Sequence, residues 1–530
     1  MGTVLSALAS VGSSARMLLA PILDFAKAYE RAALSPGLPV SIPTTPYWTR
    51  DPPYPDLVKH QSAELLREVD IAIIGSGISG AAVAYSLLHS SKGSSVEKMV
   101  VLEARDICSG ATARNGGHIK TAPWAVYPRL AKHVGKDRAI ALTRFQRKHL
   151  DLLLELCNAT GIDAAEAREV ETVDLFLDSA SFADAVKGVK ETVPMLPEEE
   201  MKIWEREEAQ KKFGTGPSVY GAVSYRAGAL WPYRFVTAIW HRLLTQYHDI
   251  LAIETHTPVE SISAEDPEAP KDHPYALRTT RGTVYARNVV HATNGFASHL
   301  VPGLRRKITP AKAHMSAQKP GDLFPEDHGP HRSWSVIYGD GFDYVTQRRP
   351  EPGESRQSQG DLMLGGGFAR TLNRGIDMLA VSDDGAPLDG VTLAHISGVF
   401  PAAFSPNWGV GGGLRQAWSG ILGFTGDMLP LVGRLDKTVT GRAPSDVSEP
   451  GSNEKLCGEW IAAGFAGEGM VWSWLSGMAL GIMVSGREND NLDAVPGRPA
   501  GRLADWFPHE LYVSKDRMKS AGLSNLPSHL

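Results

Sequence analysis

The 530-residue sequence predicts an α/β protein with an α+β second part, and three observations predict it. An apolar β-branched run, Ile71–Ile74, breaks into Gly75-Ser76-Gly77-Ile78-Ser79-Gly80 and resumes as a helical pattern. A second apolar strand, 98–104, carries Glu103 about 28 residues after Gly75, the spacing of a βαβ nucleotide unit. Further on, 250–263 and 276–292 alternate as strands, and so do 310–318, 335–347 and 361–368. The first two observations describe a Rossmann-like dinucleotide-binding domain. The third adds a discontinuous mixed-sheet domain.

The glycines have separable roles. Gly75 permits the tight turn, Gly77 lets backbone approach a pyrophosphate, and Gly80 lets helix and strand pack closely. The N–H groups of Ile78 and Ser79 open the helix, where free donors and the helix dipole favour anionic phosphate. Glu103 is placed to accept hydrogen bonds from an adenosine ribose.

The elements follow in order. Residues 1–34 read as helical, with Leu18, Ile22, Phe25 and Tyr29 on one face. Seven prolines in 35–57 predict an extended arm over a surface. Residues 137–160 are an amphipathic helix marked by Leu142, Phe145, His149, Leu152, Leu153 and Leu156. Residues 182–213 read as helical, broken at Pro194 and Pro197. The segment 228–248 reads as a turn followed by a helix. Loops at 265–274, 348–360 and 436–455 are polar and rich in Pro and Gly. A final helix starts near Gly467. The uncharged run 470–486 is rich in Gly and Ser and reads as a buried helix, not a membrane span.

Composition excludes several classes. A net charge of −5, with no basic tail, excludes nucleic acid as a partner. Cys108, Cys157 and Cys457 are too far apart to staple a small fold or to form a metal set, which predicts a reducing compartment and no metal. The start, MGTVLS, fits a myristoylation pattern at Gly2 with Ser6, but no second membrane signal accompanies it, so membrane association is not expected. Ser528-His529-Leu530 resembles a peroxisomal address. The predicted location is cytoplasmic or peroxisomal.

The stretch 104–118, ARDICSGATARNGGH, resembles the loop that closes over the flavin pyrophosphate in the D-amino-acid oxidase-like superfamily, which includes glycine, sarcosine and γ-glutamylputrescine oxidases. SGAT-x-RNGG is most similar to the last of these branches. GALWPYRF (228–235), VVHATNGFASHLVP (289–302), WSGILGFTGDMLPLVG (418–433) and WIAAGFAGEGMVWS (460–473) resemble further superfamily elements in the right order. The resemblance implies FAD. Besides Gly75, Gly77, Ile78, Ser79, Gly80 and Glu103, it places Ala104, Arg105, Gly110, Ala111, Thr112, Arg114, Asn115, Gly116 and Gly117 at the cofactor. It adds Val259, Ala292, Thr293, Asn294, Gly295, Trp418, Gly420, Asp427, Gly464, Gly467, Glu468, Gly469 and Met470. The implied domains are an N-terminal helix and arm (1–65), an FAD-binding domain (66–125, 225–305 and 415–490), a substrate domain (126–224 and 306–414) and a tail (491–530).

The chemistry implied is oxidation of an amine or amino-acid-derived C–N bond by hydride transfer to flavin N5, with a small-molecule substrate and oxygen or another electron acceptor. His118, Lys120, Tyr344 and Trp418 are the candidates to line the reacting site. His314 reads as structural. The sequence departs from its relatives at three points. Met363 stands where sarcosine oxidases carry an oxygen-activating lysine, and Arg114, Lys120 and Lys312 are the candidate substitutes. Val471 and Glu468 replace a carboxylate-holding lysine and a histidine. Gly420 falls near the cysteine that bonds flavin covalently, and Arg114 near the corresponding histidine of another branch, so noncovalent FAD is expected. Two alternatives stay open. One is an FAD-dependent tailoring oxidase acting on an alcohol or polyketide-like intermediate of secondary metabolism. The other is a noncatalytic flavin-binding protein.

Overall fold

A computed structural model describes residues 22–89, 96–325, 329–339, 341–350, 360–442 and 457–528. The myristoylation pattern at Gly2, Leu18 of the first helix, and His529 and Leu530 of the terminal tripeptide lie outside the described residues.

Two sheets organise the chain. In the first, Glu68–Ile74 is central and pairs in parallel with Met99–Leu102 on one side and Gly282–His291 on the other. Leu251–Glu254 extends one flank and Gly458–Ala463 the other, both in parallel. Leu431–Arg434 closes that second flank antiparallel, while Tyr275–Thr279 and Val259–Ser263 branch from Gly282–His291. The central strand is buried along almost its whole length, which is why it reads as a continuous apolar run.

The helix Ile78–His89 leaves the glycine loop and is covered by Ser473–Val484, a helix buried at every residue. Small residues make that packing possible. A Cβ on Gly477 would lie 2.6 Å from Ala82 Cβ and 2.8 Å from the Ser79 carbonyl, and one on Gly481 would lie 2.5 Å from Ser86 Cβ. Ser86 Oγ donates to the Met478 carbonyl at 2.8 Å. The Gly- and Ser-rich apolar run is thus a close helix–helix contact. Among the described residues no helix is long and apolar enough to cross a membrane.

Among the described residues the second sheet has nine strands. Its main path runs Gly413–Phe424, Thr309–Lys319, Leu362–Gly366, Gly341–Gln347, Arg332–Tyr338, Arg168–Phe176, Gly221–Ala229 and His118–Ile119. Lys202–Glu205 branches from Gly221–Ala229. The strands His118–Ile119, Gly221–Ala229 and Gly413–Phe424 belong here, although the boundaries 66–125, 225–305 and 415–490 place most of their residues with the first sheet. Two local expectations change. The run 335–347 is a hairpin of two strands, turned beside Gly339 at φ +41°. The segment 182–213 holds two helices, Ser179–Thr192 and Arg206–Phe213, with the strand Lys202–Glu205 between them.

The helix Lys136–Thr160 buries Leu142, Phe145, His149, Leu152, Leu153 and Leu156, the face read from the sequence. Each fully buried leucine contributes roughly 1.5–3 kcal/mol. The proline-rich arm is more than a surface wrapping. Tyr47 and Trp48 are buried, and the Trp231 indole donates to the Trp48 carbonyl at 2.7 Å.

Candidate functional site

The glycine loop is fixed by backbone proximity. Gly75 has φ +106°, and a Cβ on it would lie 2.7 Å from the Ala292 carbonyl oxygen. A Cβ on Gly80 would lie 2.1 Å from the Gly75 oxygen. Gly77 is different: among the described residues only the Thr112 hydroxyl comes near, at 3.0 Å, so its missing side chain leaves a cradle. Thr112 Oγ1 accepts from the Ile78 N–H at 3.0 Å. Ser79 is buried, with its carbonyl in the helix contact described above, and Ala104 follows Glu103 half-buried.

Glu103 organises this corner. Its carboxylate accepts from Ser76 N–H at 3.0 Å, Ser76 Oγ at 2.6 Å and Arg105 N–H at 3.0 Å. Gly110, Ala111 and Thr112 lead into a short turn, Ala111–Arg114. Asn115 ties that turn back on itself, donating to the Ala111 and Thr112 carbonyls and accepting from Gly117 N–H at 2.7 Å. Gly117 has φ +66°, and a Cβ there would strike the Leu230 carbonyl at 2.1 Å. Arg105 and Arg114 are buried and share Asp384, with Arg105 Nη1 at 3.0 Å and Arg114 Nε at 3.4 Å from its carboxylate. No local pattern pointed to Asp384.

Ala292 N–H donates to the Ile74 carbonyl at 2.9 Å. Asn294, at φ +45°, accepts Gly464 N–H at 3.0 Å through its side chain, joining the two late glycine segments. Gly295 sits where a Cβ would be 2.4 Å from the Leu422 carbonyl. Gly464 and Gly467 have φ +84° and +82°. The helix expected to open near Gly467 starts at Ser473, because Gly469–Val471 forms one tighter turn that Trp472 ends. Met470 is buried in that turn. Glu468 accepts from Gln146 Nε2 at 2.9 Å and from the Trp472 indole at 3.2 Å. Two expected cofactor residues have other surroundings. Asp427 is ion-paired with Arg517, and Val259 lies in the apolar cluster with Ile74 and Leu102.

The donor set fits FAD. Among the described residues Ser109 and Thr293 each carry a buried hydroxyl with no hydrogen-bond partner. Ser109 adjoins Cys108, whose N–H donates to Ser76 Oγ at 2.7 Å, and Thr293 packs against the Gly75 position. With the Gly77 cradle and the Glu103 carboxylate, these groups suit a dinucleotide's phosphates and ribose. Among the described residues no His, Cys, Asp and Glu side chains gather as a metal site.

The second sheet turns one face toward the same large core. Directly paired residues share a face, so the register places Asp174, Ser335, Tyr344, Gly365, Met315 and Trp418 in one row. Thr172, Ser333, Thr346 and Met363 form the next row. His118 bonds Ser333 Oγ at 2.8 Å, and its ring centroid is 6.3 Å from that of Tyr344. The strand His118–Ile119 also lies against the turn Gly469–Val471. Lys120 Nζ is 2.5 Å from Asp174 and 2.6 Å from Ser335 Oγ, while Asp174 also accepts from Tyr225 Oη and the Trp124 indole. The Trp418 indole donates to the Arg114 carbonyl at 3.0 Å, and a Cβ on Gly420 would come 3.0 Å from Arg114 Cβ. Tyr344 lies across Gly116, whose Cβ would be 2.4 Å from its ring, and donates to Met315 Sδ at 3.2 Å. All four lining candidates thus meet on one face. Lys312 and His314 belong elsewhere. Lys312 alternates to the opposite face and donates to the Ala386 and Pro387 carbonyls, while His314 Nε2 accepts from Asp389 N–H at 3.1 Å.

Desolvation, with the Lys120 charge second, pushes His118 well below the usual histidine range, so its ring is neutral at pH 7. Burial also lowers Lys120, against the opposing pull of Asp174. Tyr344 is pushed up to about 12 by burial and stays a neutral phenol.

A family model described as FAD dependent oxidoreductase, DAO, matches residues 70–481. A curated relative from Haemophilus influenzae, "Probable oxidoreductase OrdL", is 23% identical over 259 residues. That match covers 48% of this chain and only 56% of the relative. Among solved structures, L-proline dehydrogenase from P. horikoshii aligns with a TM-score of 0.55 and 20% identity, over 79% of this chain and 93% of that one. Glycine oxidase from Geobacillus kaustophilus aligns with a TM-score of 0.56 and 18% identity, over 80% and 96%. At these identities the structures share the fold.

Proposed function

This chain belongs to the DAO family of FAD-dependent oxidoreductases, and on that premise we propose that it oxidises a carbon–nitrogen bond of an amine or amino-acid-derived substrate. The observation that carries the reading is the convergence of His118, Lys120, Tyr344 and Trp418 on one sheet face beside the cofactor loop 111–117. When bound, FAD supplies the hydride-accepting ring. The protein positions the substrate. A C–N hydride donor reacts as the neutral amine, so a neutral imidazole near the site is useful. Burial and the Lys120 charge disfavour a further cation here, so the amine enters with its proton already lost to solvent; His118 orients it, Tyr344 and Trp418 wall the site, and Lys120 stays paired with Asp174.

The names of two fold neighbours, a proline dehydrogenase and a glycine oxidase, support the C–N class. The RNGG segment supports the γ-glutamylputrescine oxidase-like branch within it. Noncovalent FAD, oxygen or another acceptor, and a cytoplasmic or peroxisomal location complete the reading. The test is anaerobic mixing of the flavoprotein with a panel of amines, N-alkyl amino acids and alcohols, following flavin bleaching. Bleaching by amines supports the reading. Bleaching by alcohols alone favours a tailoring oxidase, and no bleaching by any class favours a noncatalytic flavoprotein.

A further inference from the structure

Two segments distant in sequence run beside each other over the cofactor loop. One is the proline-rich arm, and the other is the strap 380–389 before the helix Gly390–Phe404. Ser382 Oγ donates to the Pro36 carbonyl at 2.7 Å. Gly385 packs so tightly that a Cβ would lie 2.3 Å from the Ile42 carbonyl. Thr44 donates to the Asp384 carbonyl through its N–H at 2.8 Å and its hydroxyl at 2.9 Å. The strap is pinned on its other side by Lys312 and His314, which face away from the reacting site.

Asp384 is the junction. Its carboxylate faces Arg105 and Arg114, both within the loop 105–117, and its side chain is 1% exposed. The arm completes the cluster. Arg114 Nη1 donates to Thr44 Oγ1 at 3.2 Å and to the Ser419 carbonyl at 2.8 Å, and Ser419 N–H donates to Thr44 Oγ1 at 3.0 Å. The guanidinium groups are therefore held by the clasp, which fixes the loop between them.

We propose that Asp384 is a positioning residue for cofactor retention, clasping arm and strap across the loop 105–117 so that flavin leaves only when the clasp opens. The proposal rests on the bound flavin being FAD, which the absorbance spectrum and acid release of the wild-type protein establish separately. By linkage, a clasp that must open for release is itself tightened by the bound dinucleotide.

The test measures flavin dissociation from the full-length holoprotein by fluorescence recovery after dilution into apoprotein scavenger. Asp384→Asn should release flavin faster by on the order of tenfold or more, because a buried charge pair loses its anion. Asp384→Glu should restore slow release, a rescue that a role in packing alone would not give. Thr44→Val keeps all three charges and should speed release severalfold. It decides the matter should Asp384→Asn fail to fold. Limited proteolysis of the wild-type arm between Pro36 and Thr45 should be slower with saturating FAD than in the apoprotein. Release unchanged in both Thr44→Val and Asp384→Asn, or arm cleavage insensitive to FAD, overturns the proposal.

Discussion

In the glycine loop, position is set by backbone against backbone: Gly75 against the Ala292 carbonyl, and Gly80 against the Gly75 carbonyl. On the second sheet it is set by side chains from strands far apart in sequence, such as His118 on Ser333 and Lys120 on Asp174. At Gly75 and Gly80 the first region tolerates no added atom, whereas the second tolerates changes of shape but not the loss of a charge partner. The difference explains why one region is a short motif and the other has no motif at all.

The strongest way to break this comparison is at the glycines. Gly80→Val should abolish both flavin retention and the native fold, since its Cβ would sit inside a carbonyl contact. Gly77→Val should leave a folded protein with flavin occupancy below about one tenth, because only the cradle is filled. Absorbance ratios and thermal midpoints separate the two outcomes. A Gly77→Val protein with full flavin would refute the loop assignment.

On the sheet, Lys120→Met leaves Asp174 buried with only neutral donors, and should cost about 3–5 kcal/mol in urea unfolding. Of the three cations considered for oxygen activation, Lys120 stands on the lining face, Arg114 packs over Gly420 with its guanidinium held by Asp384, and Lys312 points to the opposite face. Lys120→Met should therefore slow reoxidation of the reduced flavin in stopped flow, Lys312→Met should leave it unchanged, and Met363→Lys should speed it. An equal effect of the two lysine substitutions would count against the face assignment.

Protonation gives a smaller handle. His149 is held at about 4 by burial, with Nδ1–H donating to the Phe145 carbonyl and Nε2 accepting from Leu475 N–H near the start of the helix Ser473–Val484. Its folded value lies below its unfolded one, so the unfolded chain takes up protons first. Stability is lost as pH falls from about 6.5 to about 4, and this histidine contributes about 2.5 kcal/mol of the loss at pH 4.5. His149→Gln should flatten that part of the curve. An unchanged slope would show that the ring is already charged. The smallest effect is expected from Tyr344→Phe, which removes one weak bond to Met315 Sδ. Stability should change by less than about 1 kcal/mol, with any larger change appearing in KM for the amine.

Much of the first region was legible because its requirements are local. A strand, three glycines and an acidic residue at fixed spacing leave few other structures, and the helix face of Leu142, Leu153 and Leu156 follows from periodicity alone. Asp384 was not legible, since it is 279 residues from Arg105 and nothing near it in sequence marks a partner. The Glu468–Gln146 contact spans 322 residues and hides for the same reason. Asp427 lay inside a recognisable segment, yet its ion pair with Arg517 depends on how the last helices return to the sheet. The turn beside Gly339 was missed because the strands on both sides have the same alternation.

The contact of Gly477 and Gly481 with the helix after the glycine loop also orders events in time. The sheet's central strand is synthesised long before a neighbour of its partner strand, Gly458–Ala463, and the covering helix. A nascent chain that has left the ribosome only as far as residue 440 therefore exposes the apolar flank of Ile78–His89 and lacks one sheet neighbour. Such long-range pairing delays closure and leaves sticky surface open meanwhile. For this chain, the cofactor fold closes only once residues 458–484 have been synthesised, and a truncation before them would harm the strand Glu68–Ile74 and the helix Ile78–His89.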